Sequence, residues 1–402
     1  MSKVLVLGGG KVGKSVAELL LACGRGEYSV TLADREQSNL QEAEANCRRL
    51  GNRVPHPVEF STRRIDATDR AAVRELLGEH EYLICMLPFD LVAGIADDAN
   101  ELGVHYFDVT EDVETSERVR KIDEAGSAKV ALVPQCGLAP GYIAIAAYDI
   151  ARQFSEIHEL TLRVGALPQY PTNALHYNVT WSTAGVVNEY CEHCHVMLDG
   201  RFAKLPALEG LETFGFEGVE YEAFYTSGGV GTLIDTLLAE KKTVGETRIA
   251  YKTIRYPGHR DLMKFLLQDL RLGVEHARPS ASGRVFDRRL AMDLLDHAIA
   301  RTLQDVVIIF INCIGMKDGI RQQVNFKRAV RAVELFGRVW PAIELTTAAG
   351  VCAMVDLHHR GRLPKTGFIR QEQCALEAFN HTLFGLAYEA PETLERGATA
   401  QL

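Results

Sequence analysis

Lys3-Val4-Leu5-Val6-Leu7-Gly8-Gly9-Gly10-Lys11-Val12-Gly13 opens the chain and decides how the rest is read. Val4–Leu7 is an unbroken apolar run, as a strand needs when both its faces are covered. Glycines follow at once, and an apolar helical pattern runs from Lys11 to Ala22. The string fits G-x-G-x-x-G at Gly8, Gly10 and Gly13. Gly8 permits the tight turn, Gly10 lets the main chain approach a pyrophosphate, and Gly13 lets helix and strand pack closely. Lys11 and Val12 begin the helix, whose first amides attract phosphate. The stretch predicts a dinucleotide site.

The next elements fit that site. A second apolar strand, 28–33, ends in Asp34, about 20 residues past the last glycine. An acidic residue at that place bonds the ribose hydroxyls of NAD. Arg35 beside it can pair with the 2′-phosphate of NADP, so NAD is expected and NADP is the alternative. Further on, strands at 57–65, 81–86, 105–109 and 129–133 alternate with helices at 36–50, 69–78, 90–102 and 113–127. Strand alternating with helix over about 135 residues implies a doubly wound parallel sheet, the Rossmann architecture. Asp66 and Ala67, after the third strand, border the adenine or begin a helix as its cap. Leu87 and Pro88, after the fourth strand, line the entry for the nicotinamide.

The pattern changes after Cys136-Gly137-Leu138-Ala139-Pro140-Gly141. A helix near 142–153 leads to a strand at 158–164. Longer strands and hairpin signals follow at 177–181, 226–231 and 247–255, with helices near 259–273 and 288–303 and an apolar strand at 306–314. An Ala- and Gly-rich helix at 346–357 and an amphipathic helix at 371–388 close the chain. The expected division is a dinucleotide domain at 1–140, a mixed α+β substrate and dimerisation domain at 141–345, and a segment at 346–402 returning to the first domain.

Composition narrows the function. The 402 residues carry 44 Lys and Arg against 53 Asp and Glu, a net −9, which argues against nucleic-acid or anionic-membrane partners. The longest uncharged stretch, Val164–Asn188, contains Pro168 and Pro171 and many polar groups, so it is not read as a membrane span. Nine cysteines are scattered through the chain, and the first residues lack a signal-peptide layout, so a reduced cytoplasmic protein is expected. Cys191-Glu192-His193-Cys194-His195 fits a C-x-x-C-H haem string, but that attachment needs export. No second C-x-x-C or H-x-x-H completes a zinc site, so no metal is expected.

The chain resembles the saccharopine dehydrogenase family. VLVLGGGKVG (4–13), CMLPF (85–89) and CGLAPG (136–141) carry the likeness in the first half. GALPQYP (165–171), LHYNVTW (175–181), YTSGG (225–229), YKTIRYPGH (251–259) and GFIRQEQ (367–373) carry it in the second. The resemblance implies a pyridine-nucleotide oxidoreductase acting on the C–N bond of an amino acid, and a homodimer is the expected assembly. Hydride leaves a carbon beside a secondary amine, and the resulting imine is hydrolysed. Lysine 6-dehydrogenase, which performs this step on a terminal amine, and a non-catalytic NAD(H)-binding protein are the alternatives.

The chemistry needs a proton acceptor, because only a neutral amine expels hydride and water must then attack the imine. Asp108 and Glu111, leaving the fifth strand, are the candidates, with Asp108 first. Asp108 as a helix cap or at the ribose is the structural alternative. The resemblance places Cys136 near the nicotinamide. For the substrate, it points to Arg255 in Thr253-Ile254-Arg255, since a guanidinium binds a carboxylate through two hydrogen bonds. A structural ion pair is the other reading of Arg255. Thr226, Ser227 and Gly228 offer hydroxyls and amides to a second carboxylate, or form a plain hairpin turn. Tyr177 and Trp181, four apart and so on the same face of one strand, either floor the pocket or belong to the core. Phe89 stands where part of the family has Tyr, so a hydroxyl is missing there.

Overall fold

The computed structural model describes residues 1–275, 279 and 283–400. The chain divides into two compact units. One comprises Met1–Ile145, Val333–Trp340 and Glu344–Leu402, and the other Ala146–Ala332 with Pro341–Ile343.

The first unit runs β1 (Ser2–Leu7), α1 (Lys11–Cys23), β2 (Tyr28–Asp34), α2 (Gln37–Leu50), β3 (Glu59–Arg64), α3 (Arg70–Leu77), β4 (Tyr82–Cys85), α4 (Phe89–Leu102), β5 (His105–Asp108), α5 (Val113–Glu124) and β6 (Ala131–Val133). Helix α6 (Tyr142–Ala151) carries the boundary between the units. The strands pair in parallel in the order β3-β2-β1-β4-β5-β6, and the order reverses between β1 and β4. In such sheets the ligand crevice opens at that reversal, beyond the carboxyl ends of the strands. The inner strands β1, β4 and β6 are apolar runs because helices cover both faces, whereas the edge strand β3 is polar and largely exposed. Leu5, Leu7, Leu83, Cys85, Tyr106 and Leu132 form one core with Val92, Ala96, Ala99 and Val119. Asp69 and Asp112 start α3 and α5 by accepting from Ala72 N and Thr115 N.

The second unit contains β7 (Glu156–Pro168), α7 (Thr183–Cys191), β8 (Cys194–Leu198), β9 (Arg201–Leu205), β10 (Glu212–Phe216), β11 (Val219–Tyr225), α8 (Leu233–Ala239), β12 (Thr243–Arg255), α9 (His259–Lys264), α10 (Arg288–Ala298), β13 (Asp305–Lys317) and β14 (Ile320–Arg331). Its mixed sheet has the order β10-β11-β12-β7-β13-β14, with β8 and β9 added beside β12. Only β12 with β7 is parallel among these pairs.

The last part of the chain returns to the first unit. The hairpin β15 (Val333–Leu335) and β16 (Arg338–Trp340) lies there and not in the second domain, where the sequence pattern places it. Its anchor is a buried carboxylate: Glu18 of α1, fully covered, takes Arg338 at 2.8 Å and Arg49 at 3.1 Å. Helix α11 (Ala342–His359) follows, and its Cys352 thiol reaches the Val16 carbonyl of α1. The two-residue β17 (Gly367–Phe368) then adds a seventh strand beside β6.

Several expected elements take other forms. No strand spans 177–181: Asn173 bonds the main chain of Tyr177, Asn178 bonds Thr172, and Ser182 caps α7. These side-chain bonds replace a ladder, leaving one bridge, Val179 to Arg301. Residues 226–231 form a loop between β11 and α8, not a hairpin, because Gly228 and Gly231 take left-handed φ of 86° and 54°. The helix at 259–273 is α9 extended by one π turn, Phe265–Asp269. The helix at 371–388 is broken into a 3₁₀ turn Gln371–Gln373, α12 (Leu376–Asn380) and α13 (Leu386–Glu389). Thr382 interrupts it, binding the Phe379 carbonyl and the Gly385 amide. A further turn, α14 (Leu394–Thr399), ends the described chain.

A histidine pair lies at the amino-terminal edge of the parallel sheet. His358, from the last turn of α11, has its ring 4.3 Å from that of His105 and its Nδ1 3.3 Å from the Tyr82 hydroxyl. Burial, then the neighbouring His105, pushes His358 down to about 4, and burial lowers His105 too. In the unfolded chain a histidine titrates near 6.5. The folded state therefore holds these rings neutral, and stability present above about 6.5 is lost as pH falls towards 4. We expect urea midpoints to drop across that window, and His358→Phe to flatten the slope. An unchanged slope in the variant shows that other groups govern the acid limb.

Candidate active site

The glycine turn fits closely against its neighbours. A methyl group at Gly13 would lie 1.9 Å from the Gly8 carbonyl oxygen, and one at Gly8 would lie 2.7 Å from that of Met86. Gly8 also takes a φ of 109°. At Gly10 the same methyl meets nothing within 4 Å, so this face of the turn is open. Gly10 is also the N-cap of α1 and has no side chain to bond the first amides of the helix, those of Lys11, Val12 and Gly13. An open cradle beside a helix start without a side-chain cap fits a pyrophosphate.

Asp34 ends β2 and faces this turn. Its Oδ2 accepts the Gly9 amide at 2.6 Å, and its Oδ1 accepts the Glu36 amide at 2.7 Å. The carboxylate thus fixes the turn. Arg35 is largely exposed, 3.3 Å from Glu36, and Arg64 donates to the Arg35 carbonyl. Asp66 accepts from the amide and hydroxyl of Thr68, which lowers its pKa, and the cap of α3 is Asp69. Asp66 and Ala67 therefore form the turn ahead of that helix and are not its cap.

Beyond β4, β5 and β6 lie the groups expected at the reacting end. Leu87 packs on the core, Pro88 is the N-cap residue of α4, and the Phe89 ring is 43% exposed. Asp108 is fully buried. It accepts the Tyr106 hydroxyl at 2.5 Å and the amides of Thr110 and Gln135, each at 2.9 Å. Burial pushes its pKa up to about 6 against those three donors. It does not cap α5, since Asp112 does. Its bonds tie β5 to the loop that carries Cys136. Glu111 is half-buried, with its pKa raised by burial, then by the charges of Asp112 and Asp108. Burial raises the Cys136 thiol well above its ordinary range, and the thiol donates to the Val133 carbonyl at 2.9 Å. Burial therefore favours the protonated thiol there.

Two later elements clamp the Cys136 loop. A methyl at Gly350 of α11 would lie 2.6 Å from the carbonyls of Cys136 and Gly137. Gln371, just past β17, donates to the Pro134 carbonyl at 2.9 Å and reaches the Cys136 sulfur at 3.6 Å. Sequence reasoning missed Gln371, whose signal was its place in GFIRQEQ.

The second unit holds a separate cluster of buried polar groups around Arg255. This residue is only 2% exposed and ends β12. Its Nη1 donates to the Ile254 carbonyl, and its guanidinium lies 5.3 Å from the ring of Tyr177 and 5.8 Å from that of Tyr190. Burial disfavours its charge, but Tyr190, Tyr177 and the Glu189 carboxylate outweigh this and hold its pKa up. Glu222, opposite it on β11, accepts the amides of Gly258 and Arg260. Three buried atoms here have no hydrogen-bond partner: Arg255 Nε, Tyr177 Oη and Thr180 Oγ1. Thr253 shares the Arg255 face and bonds Thr226 at 2.7 Å. Ile254 cannot present its side chain there, since it points to the opposite face and packs with Leu167 and Phe216. The Ser227 amide bonds the Glu189 carbonyl, and Gly228 shapes the same loop. Trp181 lies against Gly185, where an added methyl would collide with its ring, so it is a packing residue of α7. Tyr190, Thr180 and Tyr251 were not foreseen, although Tyr251 follows from the alternation that exposes Thr253 and Arg255.

The saccharopine dehydrogenase NADP binding domain matches residues 4–133, and the saccharopine dehydrogenase C-terminal domain matches residues 137–386. The chain belongs to the saccharopine dehydrogenase family. The family is one of oxidoreductases, and residues 4–133 are its NADP-binding domain. Among solved structures, apo saccharopine dehydrogenase (L-Glu forming) from Saccharomyces cerevisiae is similar at 15% identity and a TM-score of 0.73, covering 96% of this chain and 97% of that one. Homospermidine synthase from Legionella pneumophila, in complex with NAD, is similar at 11% identity and a TM-score of 0.63, covering 100% and 90%. At these identities the likeness establishes the fold. Among the described residues no helix is long and apolar enough to cross a membrane.

Asp34→Ala is expected to raise the Kd for NAD roughly tenfold or more, the worth of a charge-assisted bond, and that for NADP by less. Equal weakening in titration calorimetry would show that Asp34 serves only the turn.

Proposed function

We propose that this protein is an NAD(P)-dependent dehydrogenase that oxidises the C–N bond of a carboxylate-bearing amine, with saccharopine or a similar opine as substrate. The observation that supports this most is the buried, unpaired trio of Arg255 Nε, Tyr177 Oη and Thr180 Oγ1. A buried polar group without a partner costs about 1–3 kcal/mol, so the pocket calls for an acceptor. A carboxylate supplies two oxygens to these donors and neutralises the guanidinium. A polyamine such as homospermidine brings ammonium groups instead, which Arg255 repels. Lysine, with one carboxylate, is the alternative substrate. NAD is the expected cofactor because the Asp34 carboxylate repels a 2′-phosphate, while Arg35 and Arg64 are the groups that would take one.

The dinucleotide supplies the hydride acceptor. The protein's part is to hold the substrate and to move protons. Arg255, with Tyr177, Thr180 and the loop Thr226–Gly228, fixes the carboxylate end. Glu111 takes the proton of the substrate ammonium and later that of the attacking water. We place Glu111 ahead of Asp108 because Asp108 is fully buried with three donors on its oxygens. Asp108 then acts on Glu111 by charge, helping to hold its pKa up. Cys136, a neutral thiol past the end of β6, lines the nicotinamide end of the first unit. A cytoplasmic homodimer in lysine metabolism completes this reading, and light scattering after gel filtration tests the assembly.

Incubation with NAD or NADP and saccharopine, then lysine, should give reduced cofactor with saccharopine. No reduction with either substrate, despite measured cofactor binding, leaves a non-catalytic NAD(H)-binding protein. Arg255→Ala should raise KM roughly ten- to a hundredfold with less effect on kcat; an unchanged KM makes the arginine structural. A base must be ionised to act, so kcat/KM should fall as pH drops through the raised pKa of Glu111. Glu111→Gln should remove that acid limb and lower kcat about a hundredfold or more. A retained limb returns the role to Asp108.

A further inference from the structure

Gln371 lies where the returning C-terminal segment meets the end of β6. β17 pairs with β6 through Gly367 with Ala131 and Phe368 with Leu132, and the Ile369 amide bonds the Leu132 carbonyl. This register carries Gln371 alongside Pro134 and Cys136. The side chain is only 4% exposed. Its amide nitrogen has two hydrogens, and both are placed: one on the Pro134 carbonyl at 2.9 Å, one towards the Cys136 sulfur at 3.6 Å.

The other end of the amide differs. Oε1 is buried and has no hydrogen-bond partner. Exchanging oxygen and nitrogen does not help, because the oxygen would then face the Pro134 carbonyl oxygen and both donors would be lost. The amide orientation is fixed by its surroundings, and its acceptor is left over. A buried acceptor without a donor is uncommon in folded proteins and points to a group that arrives later.

The place of this acceptor indicates the group. It lies past the carboxyl end of β6, in the half of the sheet β4-β5-β6 beyond the reversal of strand order. The adenosine half is served by β1, β2 and the Gly8–Gly13 turn. In a doubly wound sheet the second half receives the nicotinamide. The nicotinamide carries one neutral N–H donor group, its carboxamide.

We propose that Gln371 is a positioning residue for the cofactor: its Oε1 accepts a hydrogen bond from the nicotinamide carboxamide, while its Nε2 holds the Cys136 loop. The ring is then fixed in rotation, which decides the face presented for hydride transfer. The inference rests on the family's dinucleotide and not on the choice of saccharopine or lysine.

The test is equilibrium binding to the full-length protein, followed by titration calorimetry. The probes are NADH, its reduced 3-acetylpyridine analogue, in which a methyl replaces the amide nitrogen, and ADP-ribose, which lacks the nicotinamide. The wild-type protein should prefer NADH to the analogue by roughly five- to tenfold, the worth of one neutral hydrogen bond. Gln371→Leu should abolish that preference and leave binding of the truncated ligand within about twofold. If the leucine variant unfolds by circular dichroism, Gln371→Asn keeps an amide but withdraws the oxygen, and the same loss of preference is expected. A preference that survives substitution overturns the proposal, as does a wild type without one. Equal weakening of all three ligands also overturns it, since that would make Gln371 a brace for the loop alone.

Discussion

A methyl group at Gly13 would stand 1.9 Å from the Gly8 carbonyl, so the first turn of α1 and the end of β1 touch main chain to main chain. That contact fixes where the helix starts, and the helix start fixes where its first amides point. Asp34 then locks the turn from the other side through the Gly9 amide. The buried Glu18, one turn further along α1, ties the same helix to Arg49 and Arg338. The phosphate cradle is therefore rigid before any ligand is present, and binding does not have to order it.

The second unit follows a different logic. Its sheet places Tyr251, Thr253 and Arg255 on one face by alternation, and Lys252 and Ile254 on the other. On the second face Arg163 and Lys252 both meet Glu212. On the first face Arg255 has two aromatic rings and a carbonyl against it, and the buried Glu189 acts on it by charge. Burying a guanidinium this way is unfavourable in isolation.

The parallel sheet was legible because its physics is local. The inner strands are short apolar runs, each crossing is a helix, and Gly8, Gly10 and Gly13 have few other uses in that order. What was misread depends on distant partners. The alternation of Tyr177 and Trp181 imitates a strand, yet Asn173, Asn178 and Ser182 satisfy that main chain with side chains. The spacing of 371–388 imitates one helix, yet Thr382 and Gly385 break it. β17 is two residues long and has no periodicity at all. Gln371 becomes meaningful only once that strand is paired, and the same holds for Gly350 against the Cys136 loop.

The first unit is not continuous in sequence: residues 146–332 are inserted between β6 and the elements that finish it. A nascent chain leaving the ribosome thus presents β1 to β6 without α11 over α1 and with β6 as a bare edge, open to pairing with other chains. The inserted stretch is whole, apart from residues 341–343, as soon as β14 has emerged. The part of the protein made first is completed last, because its seventh strand and the clamp on its Cys136 loop are the work of the final sixty residues or so.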